Sequence, residues 1–376
     1  NATGNIAISA PQLTIRDQAL IRSISNQAGN GGGVLIQSNG TVRLNQGSIS
    51  AFSLFDSVNA PVQLEVNDLA LQNSSFIGAG ATNIVSGNSI SLKDNSFIAG
   101  SAARQVNIQA KQITLDNQAG IFAASSATET SNIRIQASES ITLNNVAYIG
   151  AVNPLVETGG GGGDIEITTP NLTVQNSSGI NSFTIGENRA GNITLRVADT
   201  LTVADQSGIL TVTRGAGAGG TLSIEAGTLN LRDSSSISGN TFSSGNGGAI
   251  AIQAKNGINI TDRSFLTSGA QFGSTGDAGG ITIETGQLQI SDGGTISADT
   301  NGVGEGGDIT IRARDRIDVL GEAQASFWIS EISAGAGVGS RGNSGNITID
   351  TQQLNVTNGS SIATETDGSG KAGELN

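Results

Sequence analysis

Few side chains in this sequence can do covalent or acid–base chemistry. Histidine and cysteine are both absent from its 376 residues. Serine–histidine triads, thiol nucleophiles and ordinary zinc sites are therefore excluded. Carboxylates remain, with 31 Asp and Glu against 18 Lys and Arg. A polysaccharide lyase or hydrolase would need several of them converging on one outer face. Along one outward column of the repeat described below, the residues read Ala7, Leu35, Asn107, Arg134, Glu166, Thr194, Ser223, Ala251, Thr282, Thr310 and Thr348. Only Arg134 and Glu166 are charged neighbours there, which reads as a surface ion pair. GGGGGDIEI (159–167) and GEGGDITI (304–311) approach the calcium-binding pattern GGxGxDxUx. That motif works by recurring every nine residues, and here glycine before a strand start accounts for both. No metal or cofactor is expected.

Aromatic residues are the remaining surface signal. Phe76 and Phe97 precede the third apolar position of neighbouring repeats, Tyr148 matches them two repeats on, and Phe122 lies one place later. Phe52, Leu54 and Phe55 fall in the adjoining loop, and Trp328 in an insertion. They form either a ladder covered by its own loops or an apolar stripe for lateral contact with a second rod or for stacking sugars.

These side chains must be held by a repeated unit. Residues 279–307, GGITIETGQLQISDGGTISADTNGVGEGG, carry three apolar beats: Ile281 and Ile283, then Leu288 and Ile290, then Ile296. Aligned on the first beat, the copies begin at Ile6, Val34, Val62, Ile84, Val106, Ile133, Ile165, Ile193, Leu222, Ile250, Ile281, Ile309 and Ile347, which makes 13. Their second beats begin at Leu13, Val42, Leu69, Ile90, Ile113, Ile141, Leu172, Leu201, Leu229, Ile258, Leu288, Ile317 and Leu354. The two beats lie seven or eight residues apart in every copy except the fourth, where the gap is six.

Alternation over a few residues rich in Ile, Val, Leu and Thr predicts strands with one buried face. No two-residue hairpin turn joins them, so each beat must stack on its equivalent in the next copy. The prediction is an all-β, right-handed parallel β-helix of about 13 turns with three short strands per turn, forming one unit over residues 1–376. At ~4.8 Å per strand, such a rod is on the order of 60 Å long. Two columns support the alignment. Glycine lies two residues before the first beat in nine copies, from Gly4 to Gly345, where a positive-φ corner would select it. Asp or Asn follows the second beat in eleven copies, Asp17 to Asn358, and suits a left-handed corner; Gly321 takes the place in the twelfth. Length variation collects between the third beat and the next first beat. In the twelfth copy it also appears around 321–328.

The charge of −13 has no basic block, which argues against nucleic acid or anionic lipid as a partner. No apolar run approaches the ~20 residues of a transmembrane helix. Gly373 and Leu375 occupy the positions that would start a further copy, so the sequence reads as an internal segment of a longer rod.

The motifs GNITLRVADTLTVADQSGI (191–209) and GNITIDTQQLNVTNGSSI (345–362) carry a resemblance that extends over essentially the whole chain. Their pattern resembles the repeat shafts of filamentous-haemagglutinin-like exoproteins of two-partner secretion, particularly the cyanobacterial ones. The secretion domain of that family carries NPNGI and NPNL; only Asn153-Pro154-Leu155 approaches them here, so the match is to the shaft. The resemblance implies a secreted, cell-surface protein active in adhesion, aggregation or biofilm fibres, self-associating end to end or laterally. The sequence therefore leads to a non-enzymatic structural or adhesive shaft, the alternative being a β-helix that binds or cleaves acidic polysaccharide.

Overall fold

A computed structural model describes residues 4–25, 32–53, 61–101, 105–124, 130–152, 161–321 and 329–376. Every regular element among them is a β-strand, and none is a helix. Consecutive coils stack in parallel: Ile281 opposes Ile250 on one side and Ile309 on the other, and Ile309 opposes Ile347. All four are fully buried. One continuous aliphatic column runs from Ile15 to Ile347. The chain is thus a parallel β-solenoid, as its periodicity predicts.

The three expected sheets become two, plus a column of single-residue bridges. The first and second beats merge into one long bent strand, such as Val34–Asn45 or Ile281–Ser291, and these build a 14-stranded sheet. The third beat supplies a 13-stranded sheet of short strands, from Leu20–Ser25 to Ser361–Ala363. On the third side, among the described residues, only Thr184, Thr213, Thr241, Ala270, Thr300, Ala336 and Thr366 pair, one residue per coil. A strand cannot lengthen there because the chain turns at once. The Thr300 hydroxyl donates to the Gly304 carbonyl at 2.7 Å, and Thr213 and Thr241 make the same link to Gly217 and Gly245.

The irregular fourth copy is also corrected. Thr82, not Ile84, takes its first inward position, opposite Val62 and Val106. It is fully buried because its hydroxyl donates to the Ala99 carbonyl at 2.8 Å. With Thr82 in place the beat spacing alternates strictly, eight in one coil (Val34 to Val42) and seven in the next (Val62 to Leu69). Each eight-residue coil carries a bulge at the bend. In two of the seven-residue coils glycine makes room for it: a Cβ on Gly227 would collide with the carbonyls of Asp199 and Ala198, and one on Gly286 with that of Asn256.

The glycine column has a different cause from the one expected. Gly191, Gly220, Gly248, Gly279, Gly307 and Gly345 do not have positive φ. Each packs against its equivalent one coil below; a Cβ on Gly220 would overlap the Gly191 carbonyl oxygen. The Asp/Asn column behaves as expected, with φ of 52–59° at all eleven positions. Gly321 does not share that conformation; what excludes a side chain there is the Asn358 carbonyl. The residue after each Asx is left-handed as well, including Val146 at φ 62° and 54% exposed. A β-branched residue is strained there, by about 1–2 kcal/mol. Val146→Asn should therefore raise stability by about 1 kcal/mol, read as a higher urea midpoint at unchanged slope.

Inside the same corner runs a buried serine ladder that the aliphatic pattern does not reveal. Ser207 Oγ accepts the Ser178 amide at 3.1 Å, Ser235 Oγ that of Ser207 at 3.2 Å, and Ser264 Oγ that of Ser235 at 3.1 Å. Amides at a corner have no strand partner, and these hydroxyls satisfy them within the core.

Candidate functional site

In each short strand of the 13-stranded sheet, one aliphatic residue points into the core and its two neighbours point out. Ile77 is buried and Phe76 half-buried; Ile149 is buried and Tyr148 half-buried. Parallel stacking then lines up outward residues along the rod. Phe76 opposes Phe97, Gly120 opposes both Phe97 and Tyr148, and Tyr148 opposes Gly179. Phe122, on the far side of its isoleucine, still faces outward, and its ring folds back over Gly120. It thereby meets Phe97, with centroids 5.2 Å apart, and Tyr148, at 4.2 Å with an edge-on tilt. The Phe76 ring covers Gly78 of its own strand in the same way. Aromatic rings lying over glycine shield exposed backbone, which gives this ladder a packing role. Burial raises the Tyr148 pKa above its ordinary value.

Phe52 is half-buried in strand Ser48–Ser53, opposite Ile24. Leu54, Phe55 and Trp328 lie outside the described residues.

The aromatic face continues past Tyr148, which the sequence reading missed. Phe183, Leu210, Val212, Phe242 and Phe265 line a groove of about 620 Å³ on the outer side of strands Gly179–Phe183, Gly208–Leu210, Ser236–Ser238 and Phe265–Thr267. Phe265 precedes its buried Leu266 as Phe76 precedes Ile77, so the signal was present in the same register column, beyond Gly179, Gly208 and Ser236. Arg214 lies 5.7 Å from the centre of the Phe242 ring, a cation–π distance. Phe242 is 47% exposed and Phe272, two residues after the bridging Ala270 of the next coil, 84%.

Further along, the same face turns acidic. Glu331 opposes Thr295, with Asp299 and Glu365 nearby. Asp299 accepts from the Ser333 hydroxyl and the Gly335 amide, both at 2.5 Å, and from the Ser297 hydroxyl at 2.8 Å. Burial raises the pKa of Glu331, with the charges of Asp299 and Glu365 adding to the effect. A carboxyl whose folded value is raised removes stability above that value and none below its unfolded value. Glu331→Gln should therefore raise the melting temperature at pH 7, and the gain should shrink toward zero as pH falls through 4.5, the ordinary glutamate value. A gain that persisted at low pH would show that charge was not its cause.

Arg134 and Glu166 do pair, at 3.6 Å. The pair is part of a longer exposed ladder, since Glu166 also takes Arg196 at 2.5 Å and Arg196 reaches Glu225 at 4.0 Å. The aspartates of the two glycine-rich stretches have backbone work to do. Asp164 accepts the Asn192 amide at 2.7 Å, and Asp308 the Asn346 amide at 2.8 Å. Each ties a glycine-rich turn to the coil above. Among the described residues no group of three or more Asp or Glu is placed to hold a metal ion, and no helix is long and apolar enough to cross a membrane. No known family, curated protein or solved structure matches the chain.

Proposed function

We propose that the chain is a non-enzymatic shaft, exported to the cell surface, that builds a fibre or carries an adhesive flank. The supporting observation is the unbroken register. Every coil from Ile6 to Ile347 repeats an inward pair, aliphatic in all but the fourth, where Thr82 precedes Ile84, while outward positions carry polar ladders such as Asn230–Asn259 (2.8 Å) and Asn83–Asn107 (2.8 Å). Each coil in such a stack is held by the two beside it, so stability builds up coil by coil along the axis. Its flank offers equivalent positions at ~4.8 Å intervals, suited to lateral or end-to-end association and to extended ligands. Export and surface display are what the shaft resemblance implies. Electron micrographs of the purified chain should show thin rods or fibres on the order of 60 Å or longer. Compact particles would overturn the reading.

A second reading, polysaccharide cleavage, has one observation in its favour: Asp299 and Glu331 share the outer face, and burial together with the charges of Asp299 and Glu365 raises the Glu331 pKa. A carboxylate and a carboxylic acid are what glycoside hydrolysis requires. The three donors on Asp299 point instead to a structural role. Release of new sugar ends from acidic polysaccharide, abolished by Glu331→Gln, would favour the enzyme.

A further inference from the structure

The groove over Phe183, Phe242 and Phe265 differs from the rest of the rod's surface in two ways. It spans four coils and joins aromatic rings to amides and hydroxyls, Asn181 and Gln271 among them. Among the described residues its only charged lining residue is Arg214, in a chain whose net charge is −13.

We propose that this groove binds an acidic polysaccharide, a chain of uronate-type sugars lying along the rod axis. A sugar ring has an apolar C–H face and a rim of hydroxyls. Exposed phenyl rings suit the face, and side-chain amides suit the rim. A lipid tail would leave the amides unpaired. The carboxylate of each sugar selects for Arg214, whose guanidinium is exposed and steadied against Phe242. Attraction to a lone arginine in an acidic chain is local, so it discriminates by charge only where the sugar carboxylate reaches it. The strand spacing of ~4.8 Å is close to the length of one sugar ring, so successive sugars can meet successive coils. The inference rests on reading the chain as a binding shaft and adds to it the class of ligand and the residues that hold it.

The test is calorimetric titration of the intact chain with a 1,4-linked hexauronate and, separately, with the neutral 1,4-linked hexaglucan. The hexauronate should bind at least tenfold more tightly, and binding should weaken as salt rises. Phe242→Ala should weaken both ligands about tenfold, the loss of ~1.4 kcal/mol. Arg214→Gln should remove the preference for uronate and leave the residual affinity for glucan. Both side chains are exposed, so the variants should melt with the parent. Equal affinity for the two sugars, or hexauronate binding untouched by either substitution, would overturn the proposal. Parallel micrographs and chromatography of the sugar separate the two readings. Intact rods that fail to bind remove only the glycan inference, whereas shortened hexauronate removes the shaft reading.

Discussion

Gly220→Val should unfold the centre of the rod. The Cβ at this position would overlap the Gly191 carbonyl oxygen, and the obstacle is backbone rather than a side chain that can swing away. Nor can the coils move apart, because the Leu222 amide donates to the Ala249 carbonyl at 2.9 Å and the Ile193 amide to the Thr221 carbonyl at 2.9 Å. Overpacking of a site that can relax costs about 1–3 kcal/mol; this one cannot relax, so a loss of at least ~3 kcal/mol is expected. Gly220→Ala should show most of it. Gly257→Ala is the control: its nearest neighbour is the Gln287 carbonyl at 3.5 Å, an ordinary contact, and its φ is not positive. There the change should be near neutral or mildly stabilising, through a less flexible unfolded chain. Urea midpoints of the three variants decide the matter. Equal losses at Gly220 and Gly257 would mean that stacking distance is not what selects the column.

Ile224→Asp should break the solenoid locally. Ile224 lies between Leu195 and Ile252 in the aliphatic column and is 1% exposed. A carboxylate there would have no partner, and the cost exceeds ~4 kcal/mol. Because each coil touches only its neighbours, damage should fall off with distance. Hydrogen exchange should show lost protection in strands Ile193–Val203, Leu222–Leu231 and Ile250–Ile260, with protection retained around Ile36 and Ile311. Ile224→Leu, which conserves volume, should cost less than ~1.5 kcal/mol. Uniform loss of protection along the rod would instead indicate a single cooperative unit.

The candidate surface was half legible in the residues. Phe76, Phe97, Phe122 and Tyr148 stood out because they flank a buried isoleucine at matching positions, and they do share one face. What they touch did not follow from their spacing. All four rest on rings or glycines, and the open groove lies further on, where Phe183 and Phe265 are joined by Phe242 from outside the strands. Phe242 belongs to a turn, and nothing in its immediate neighbours in the chain says that it will stand beside Arg214.

Period-two alternation of Ile, Val and Leu could be satisfied only by stacking like on like, since an isolated coil cannot bury its own apolar face. That requirement made the parallel solenoid and its buried column readable directly from the residues, together with the left-handed Asx corners, whose cause is local. The glycine column, the buried Thr82, the alternating bulges, the serine ladder and the aromatic groove depended on which residues lie 4.8 Å apart across coils. Loops of unequal length between the beats conceal that adjacency in the linear order, and the folded stack restores it.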